Sequence, residues 1–282
     1  MRVVELSNHP GDMLDDAERR RLAAEKRVLS VYEDELVRYR ARAQTIKVKR
    51  DRARAGHRWW SWLKLSLGAW KEKRRVPRPP VPSAGHTDQE EKLMAGIAGE
   101  QLVAADLGRA LGDDWTLLRG YRNARGEIDQ LLLGPRGLVA IEVKNINATV
   151  HVDGDRWRAD KYDNYGNLVE QRTLADRSGR SPSVQLNEPA DALERFLRQR
   201  GQPVPVERVV VLAHRRSRLG RARQPTVLIG TSAADVLSLI RDPPAAPAPE
   251  LGHRQRAEIR RLIEHDHGFH DQRRRTRSRQ PR

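Results

Sequence analysis

The sequence has no cysteine and no long apolar run, and each absence excludes a class of protein. Without cysteine among its 282 residues, the chain has no disulfide scaffold, no cysteine-ligated zinc and no thiol nucleophile. No segment approaches the ~18–20 consecutive apolar residues of a membrane span. The first twelve residues also lack the apolar stretch of a secretory signal. We therefore expect a soluble, cytoplasmic protein.

Acidic residues are also in deficit, and the excess of positive charge lies towards the two ends. The chain has 54 lysines and arginines against 38 acidic residues, a net charge of +16. The middle of the chain is nearly neutral, and a proline-rich segment borders it on each side. Proline at this density favours extended linkers. We predict a basic arm over 1–75, a linker over 76–87, a globular domain over 88–241, and a linker with a disordered basic tail over 242–282.

Two segments of the arm have distinct patterns. Apolar residues recur at three- and four-residue spacing over 13–56, which predicts one long basic helix. Its narrow apolar stripe fits a loose coiled coil, and hence a homodimer, or an arm that faces nucleic acid. The segment WWSWLKLSLGAW (59–70) holds four of the six tryptophans. We favour a partner-facing or self-packing aromatic patch there over contact with a membrane surface.

The middle region predicts a mixed α/β sandwich around a central sheet. Predicted helices cover 88–111, 183–200 and 232–240. Predicted strands cover 115–121, 128–134, 138–145, 148–154, 206–213 and 226–230. An irregular stretch that contains tryptophan and tyrosine follows the strand at 148–154.

Three ionisable residues interrupt the apolar strands of this region: Asp129, Glu142 and Lys144. The tight-turn sequence GPRG joins the two strands. If the hairpin is symmetric about that turn, Asp129 lies opposite Glu142, and such pairs have Cβ atoms about 4.5–5.5 Å apart. Because side chains alternate along a strand, Lys144 shares the face of Glu142.

Two carboxylates on an apolar sheet repel each other and lose solvation, so a positive group has to compensate. Mg²⁺, or Mn²⁺ in its place, suits such a pair, with water and substrate phosphate completing its ligands. Lys144 would then orient a water molecule or stabilise charge on a phosphate. The alternative is a purely structural Lys144–Glu142 pair, with Asp129 capping the turn before its strand.

The segment GEIDQLLLGPRGLVAIEVKN (126–145) resembles the core of the PD-(D/E)XK nuclease superfamily, and more narrowly the nuclease-related domain (NERD) family. AGIAGEQLVAADL (95–107), GDRW (154–157) and PSVQL (182–186) agree with it. The resemblance implies a restriction-endonuclease-like core, with a mixed central sheet flanked by helices. It also implies that Asp129, Glu142 and Glu100 supply carboxylates to the metal, that Lys144 serves the attacking water, and that Gln185 completes the polar site.

Two groups of residues are candidates for nucleic-acid binding. Arg156, Trp157, Arg158 and Lys161 could stack bases and hold phosphates, or form a hydrophobic cap over the sheet edge. The arginine-rich end adds phosphate attraction without sequence information. Its candidates are Arg273, Arg274 and Arg275.

These observations predict a Mg²⁺-dependent nuclease with little sequence specificity, most simply a DNA endonuclease. The competing hypothesis is a non-catalytic nucleic-acid-binding or scaffold module built on a nuclease fold.

Overall fold

The computed structural model describes residues 1–81, 85–242 and 250–279. Parts of both predicted linkers (82–84 and 243–249) and the last three residues of the predicted tail lie outside the described residues. The strands are β1 (Arg2–Glu5), β2 (Thr116–Asn123), β3 (Gly126–Gly134), β4 (Gly137–Lys144), β5 (Thr149–Asp153), β6 (Arg156–Tyr162), β7 (Leu168–Thr173), β8 (Val206–Leu212), β9 (Arg218–Arg223) and β10 (Leu228–Gly230). The helices are α1 (His9–Ala55), α2 (Trp59–Lys73), α3 (Asp88–Ala110), α4 (Pro182–Gln199), α5 (Ala233–Arg241) and α6 (His253–Arg279).

The fold is mixed α/β and contains two mixed sheets in the described part of the chain. The larger sheet has the strand order β1-β2-β3-β4-β8-β10. Its middle strands β2, β3 and β4 form an antiparallel meander, whereas β8 runs parallel to β4. The runs of leucine, valine and isoleucine in β3, β4 and β8 are almost fully buried. A strand that is buried on both faces has such a continuous apolar sequence.

Helix α4 packs on this sheet because its sequence has a start signal and one apolar face. Ser181 caps the helix, with its side chain accepting the Val184 N–H, and Pro182 occupies the first turn. Proline is favoured there, since its missing N–H has no partner in the helix. Leu186 and Leu193 are fully buried in the main core. The helix therefore has a fixed position over β3 and β8, which matters for Gln185 in its first turn.

The smaller sheet corrects the prediction of an irregular stretch after residue 154. It has the order β7-β6-β5-β9, and β6, β7 and β9 were not predicted as strands. Every residue of β7 and β9 is exposed. These strands therefore lack the alternation of apolar and polar residues that identifies a half-buried strand.

Helix α6 corrects the prediction of a disordered tail over 242–282. Ile259 and Ile263 are fully buried in the main core. The Tyr121 hydroxyl donates a hydrogen bond to the Asp266 carboxylate, with an O···O distance of 2.6 Å. The apolar residues of this helix are few and stand among many charged ones, so the composition alone suggested a solvated segment.

The chain divides into two compact units. The first unit combines Met1–Met13 with Lys92–Arg282, and the second is Leu14–Glu91. The beginning of the chain thus belongs to the globular unit rather than to the arm predicted over 1–75, because β1 pairs in parallel with β2. Within the second unit, Arg42 pairs with the buried Glu72 of α2 at 2.9 Å. Within residues 1–81, 85–242 and 250–279, every helix is too short or too polar to span a bilayer.

Candidate active site

The β3–β4 hairpin has the register predicted from its turn. Leu133 pairs with Leu138, and Leu131 pairs with Ala140. No bulge occurs at Gly137, whose φ of 121° suits glycine in the turn. The ladder ends at the pair Gln130–Ile141, one position before the two carboxylates.

Asp129 and Glu142 lie next to the last paired position of the two strands. The Asp129 side chain turns towards β4, where its Oδ2 accepts the Val143 N–H at 2.8 Å. Glu142 is 5% exposed. This hydrogen bond fixes one oxygen of Asp129 and leaves the other free of that contact, so the carboxylate is held in a defined orientation.

Lys144 connects the hairpin to helix α4. Its Nζ donates to Glu142 Oε1 at 2.5 Å and to Gln185 Oε1 at 3.1 Å. The Gln185 amide nitrogen donates in turn to the Arg180 carbonyl oxygen at 2.7 Å. Gln185 is therefore fixed at both ends of its amide, and the ammonium group of Lys144 is held between two elements of the fold. We call Asp129, Glu142, Lys144 and Gln185 the hairpin cluster.

Glu100 comes from helix α3 and lies close enough to Glu142 to interact with its charge. Its Oε2 lies 3.5 Å from Arg119 Nη2, and the other terminal nitrogen of Arg119 binds Glu5 in β1 at 3.0 Å. The sequence resemblance implied that Glu100 supplies a metal ligand. In the structure its nearest cation is the Arg119 guanidinium.

Burial and like charge act together on the acidic groups. Burial raises the pKa of Asp129 well above its usual range, and the neighbouring Glu142 and Glu100 charges add to that effect. Burial also raises the pKa of Glu100, to about 7, against the opposing charge of Arg119. Burial alone would lower the pKa of Lys144, but Glu142 and Asp129 outweigh it, so its pKa is raised and its ammonium form is favoured.

The donor atoms of Asp129 and Glu142 fit a hard divalent cation. Among the described residues, no three His, Asp or Glu side chains converge as a complete ligand set. Mg²⁺ does not require one, because it is usually bound through one or two carboxylates together with water and substrate phosphate. Burial, with a further contribution from the Glu142 and Glu100 charges, raises the pKa of Asp129 and so disfavours its carboxylate form. A bound cation would favour the carboxylate form.

The predicted nucleic-acid-binding residues of β6 do not form one surface. Trp157 is 1% exposed, and its indole N–H donates to the Ser183 hydroxyl at 3.1 Å, so it cannot stack on a base. Arg156 and Arg158 point to the opposite face of the strand and pair with Asp153 and Asp160. Lys161 is exposed but shares the face of Trp157.

Two of the predicted arginines near the end of the chain are exposed. Arg273 and Arg274 are exposed on α6. Arg273 lies 5.4 Å from the centre of the Phe269 ring. The side chain of Arg275 lies outside the described residues.

Two residues that support the site were missed from the sequence. Gln130 is fully buried, and its Nε2 donates to the Glu100 carbonyl oxygen at 2.6 Å. Asn145 donates to the Ala95 carbonyl oxygen at 2.6 Å. Both side chains tie α3 to the hairpin. A polar residue inside the apolar run of β3 was a readable signal for Gln130, whereas nothing in the sequence identified the partner of Asn145.

The comparisons with known proteins agree with the motif. Residues 95–213 match the family model described as the nuclease-related domain, and this segment of the chain belongs to that family. The match runs from α3 to just beyond β8 and includes every residue of the hairpin cluster as well as Glu100. No curated protein and no solved structure matches the chain.

Proposed function

We propose that the protein is a metal-dependent nuclease that hydrolyses phosphodiester bonds at the hairpin cluster. The observation that carries this proposal is the convergence of Asp129, Glu142, Lys144 and Gln185 at one end of the β3–β4 hairpin. Asp129 and Glu142 would hold Mg²⁺ or Mn²⁺. When bound, such a cation supplies positive charge to the phosphate oxygens and to the leaving oxygen.

The residues of the chain have separate tasks in this proposal. Asp129 keeps one oxygen on the Val143 N–H, so its orientation is set before any ligand arrives. Lys144 stays protonated and acts as a hydrogen-bond donor, since its pKa is raised. Its Nζ would orient the attacking water or stabilise the phosphate oxygens as charge develops. Gln185 limits the positions of that ammonium through its own bond to the Arg180 carbonyl.

DNA is the substrate we favour, with cleavage inside the strand and little dependence on sequence. The net charge of +16 provides attraction to any polyanion. Exposed arginines such as Arg273 and Arg274 would contact phosphates, which carry no sequence information. Cytoplasmic location and a homodimer through α1 stay predictions.

A non-catalytic binding or scaffold module is the second candidate, and one pair of contacts favours it. Glu142 is bound to Lys144, and Glu100 is paired with Arg119. Two of the three predicted ligands thus already have a cation from the protein. In such a module the cluster would only join strands to helices.

Cleavage of supercoiled plasmid, single-stranded DNA and RNA separates the two candidates. We expect cleavage with Mg²⁺ or Mn²⁺ and none with EDTA. Glu142→Gln and Lys144→Met should each reduce the rate by about a hundredfold or more. Glu194→Gln is the matched control, because Glu194 pairs with Arg198 on α4 outside the cluster. Undiminished cleavage in the two cluster variants would refute the proposed site.

A further inference from the structure

Helix α2 in the second unit has an apolar face in contact with solvent. We call five of its residues the Trp–Leu face: Trp59, Trp60, Leu63, Leu67 and Trp70. When successive residues of a helix are placed 100° apart, these five lie within an arc of about 100°. They are 47% to 80% exposed. The opposite side of the helix already packs within the unit, since Trp62 and Leu65 are half-buried and Glu72 is buried.

The charged side chains of α2 that border this face are all positive. Lys64 and Lys71 are exposed along its border. The Arg74 guanidinium lies 3.9 Å from the centre of the Trp70 ring. The acidic residue of the helix, Glu72, points away and is held by Arg42. The face is therefore apolar with a cationic border, and no carboxylate of α2 lies on it.

We propose that the Trp–Leu face docks on an anionic lipid surface. An interfacial helix has tryptophan and leucine on one side and lysine beside them, and it lies in the plane of the headgroups. Tryptophan prefers that boundary, and lysines near an anionic surface gain about 1 kcal/mol each. The face is a ridge about 17 Å long from Trp59 to Trp70, which suits insertion into a surface rather than enclosure of a ligand.

The sequence favoured a partner-facing or self-packing aromatic patch over contact with a membrane surface. The other side of α2 packs within the unit, whereas the Trp–Leu face stays about half exposed or more and has ring contacts with described residues only at its ends, from Trp59 to Trp62 and from Trp70 to Arg74. Single-stranded nucleic acid is also anionic and would stack on the tryptophans. Leu63 and Leu67 would gain no stacking contact with it, because an aliphatic side chain has no ring to stack on a base. These two leucines make up the middle of the face and favour lipid.

The first test uses the full chain with vesicles of phosphatidylglycerol and phosphatidylcholine, against vesicles of phosphatidylcholine alone. Co-sedimentation should be at least about tenfold stronger with the anionic vesicles, and it should weaken as salt is added. The tryptophan emission should shift to shorter wavelength on binding. Absence of binding to the anionic vesicles would overturn the proposal.

Matched variants show whether α2 is the contact. The double variant Leu63→Gln/Leu67→Gln should bind anionic vesicles roughly a hundredfold more weakly. The control Val31→Gln/Val37→Gln removes two equally exposed apolar side chains from α1 and should bind normally. Equal loss in the control would overturn the proposal, because any exposed apolar residue would then suffice.

A charge variant keeps the proposal falsifiable if the leucine variant fails to fold. Lys64→Glu/Lys71→Glu changes only exposed positions and should abolish the preference for anionic vesicles. Circular dichroism confirms that each variant is helical. An emission shift with a single-stranded oligonucleotide and none with vesicles would identify nucleic acid as the partner and reject lipid. Self-association that depends on Leu63 and Leu67, without vesicle binding, would identify a second copy instead. Neither result bears on the hairpin cluster.

Discussion

Helix α2 leaves three tryptophans and two leucines in solvent, whereas strands β3 and β4 bear the buried Glu142 and the half-buried Asp129 and Lys144. The two regions depart in opposite ways from the rule that apolar groups are buried and charged groups are solvated. Each departure costs stability unless a ligand or partner compensates for it. Both regions are therefore candidates for function, for the same physical reason.

The regions differ in how much the rest of the fold supports them. Hydrogen bonds from α3, α4 and the backbone hold the hairpin cluster, including those of Gln185 and Gln130. The side chains of the Trp–Leu face, by contrast, are exposed to solvent and are not held by hydrogen bonds from other described elements. A site for chemistry needs fixed geometry, whereas a surface that enters lipid needs only apolar area and charge.

Adding one methyl group should destabilise the protein when it is placed near the cluster and should not do so when it is placed on α2. A Cβ at Gly99 would lie 2.6 Å from the Asn145 Cβ, whereas a Cβ at Gly68 of α2 meets nothing within 4 Å. Gly99→Ala should cost about 1–3 kcal/mol and lower the melting temperature, while Gly68→Ala should be neutral or stabilising.

Thermal unfolding followed by calorimetry measures both variants. Gly96→Ala serves as a control on the same helix as Gly99, because a Cβ there also meets nothing within 4 Å. Equal stability of Gly99→Ala and Gly96→Ala would show that α3 is not held tightly against the hairpin.

Removing the Gln185 amide should reduce cleavage without abolishing it. Gln185→Ala frees Lys144 from one of its two hydrogen bonds, so we expect a rate roughly ten times lower. Gln199→Ala changes an exposed glutamine of the same helix and should have no effect. Leu63→Gln/Leu67→Gln should also cleave DNA in solution at the normal rate. A normal rate in Gln185→Ala would remove Gln185 from the site.

Replacing His267, a buried side chain whose two ring nitrogens both have partners, should change stability less than the substitutions in the cluster region. His267 is 6% exposed, its Nδ1 accepts the Arg122 N–H at 3.1 Å, and its Nε2 lies 3.1 Å from the Leu6 carbonyl oxygen. Burial lowers the pKa of His267 from its ordinary value of 6.5. The unfolded chain therefore binds a proton there more readily than the folded protein does. The associated stability is complete above pH 6.5 and is lost as the pH falls through the lower pKa of the folded state.

The measurement is the melting temperature as a function of pH for wild type and His267→Gln. The variant should lose less stability than wild type below about pH 6.5. His253→Gln, at an exposed position of the same helix, should follow wild type. Parallel curves for wild type and His267→Gln would contradict the expected linkage.

Local patterns in the sequence were sufficient for the register of the hairpin, while the chemistry inferred from it stays a prediction. The GPRG turn and the alternation of side chains predicted the register, the shared face of Glu142 and Lys144, and the approach of Asp129. Family resemblance added Gln185, which the structure places against Lys144. These predictions concern residues close in sequence or within a recognised motif.

Other features were missed because they depend on contacts between distant parts of the chain. Strands β7 and β9 are exposed, so only pairing with their neighbours identifies them. Helix α6 depends on a few isoleucines that reach the core. Trp157 was predicted either to stack on bases or to belong to a hydrophobic cap, and its buried hydrogen bond to Ser183 on α4 contradicts the first alternative. The pairing of Glu100 with Arg119 joins α3 to β2 and has no local signal.

The unfolding temperature of Asp129→Asn, measured with EDTA and with Mn²⁺, tests the proposed metal site most directly. Without metal the variant should be more stable than wild type by about 1 kcal/mol, or roughly 2–4 °C, because one of two like charges is removed while the amide oxygen of the new side chain can still accept the Val143 N–H. With Mn²⁺ at about 100 times its dissociation constant, wild type should gain about 2.7 kcal/mol and become the more stable of the two. A variant that is less stable than wild type in EDTA, or equal stabilisation of both proteins by Mn²⁺, would contradict a metal site at Asp129 and Glu142.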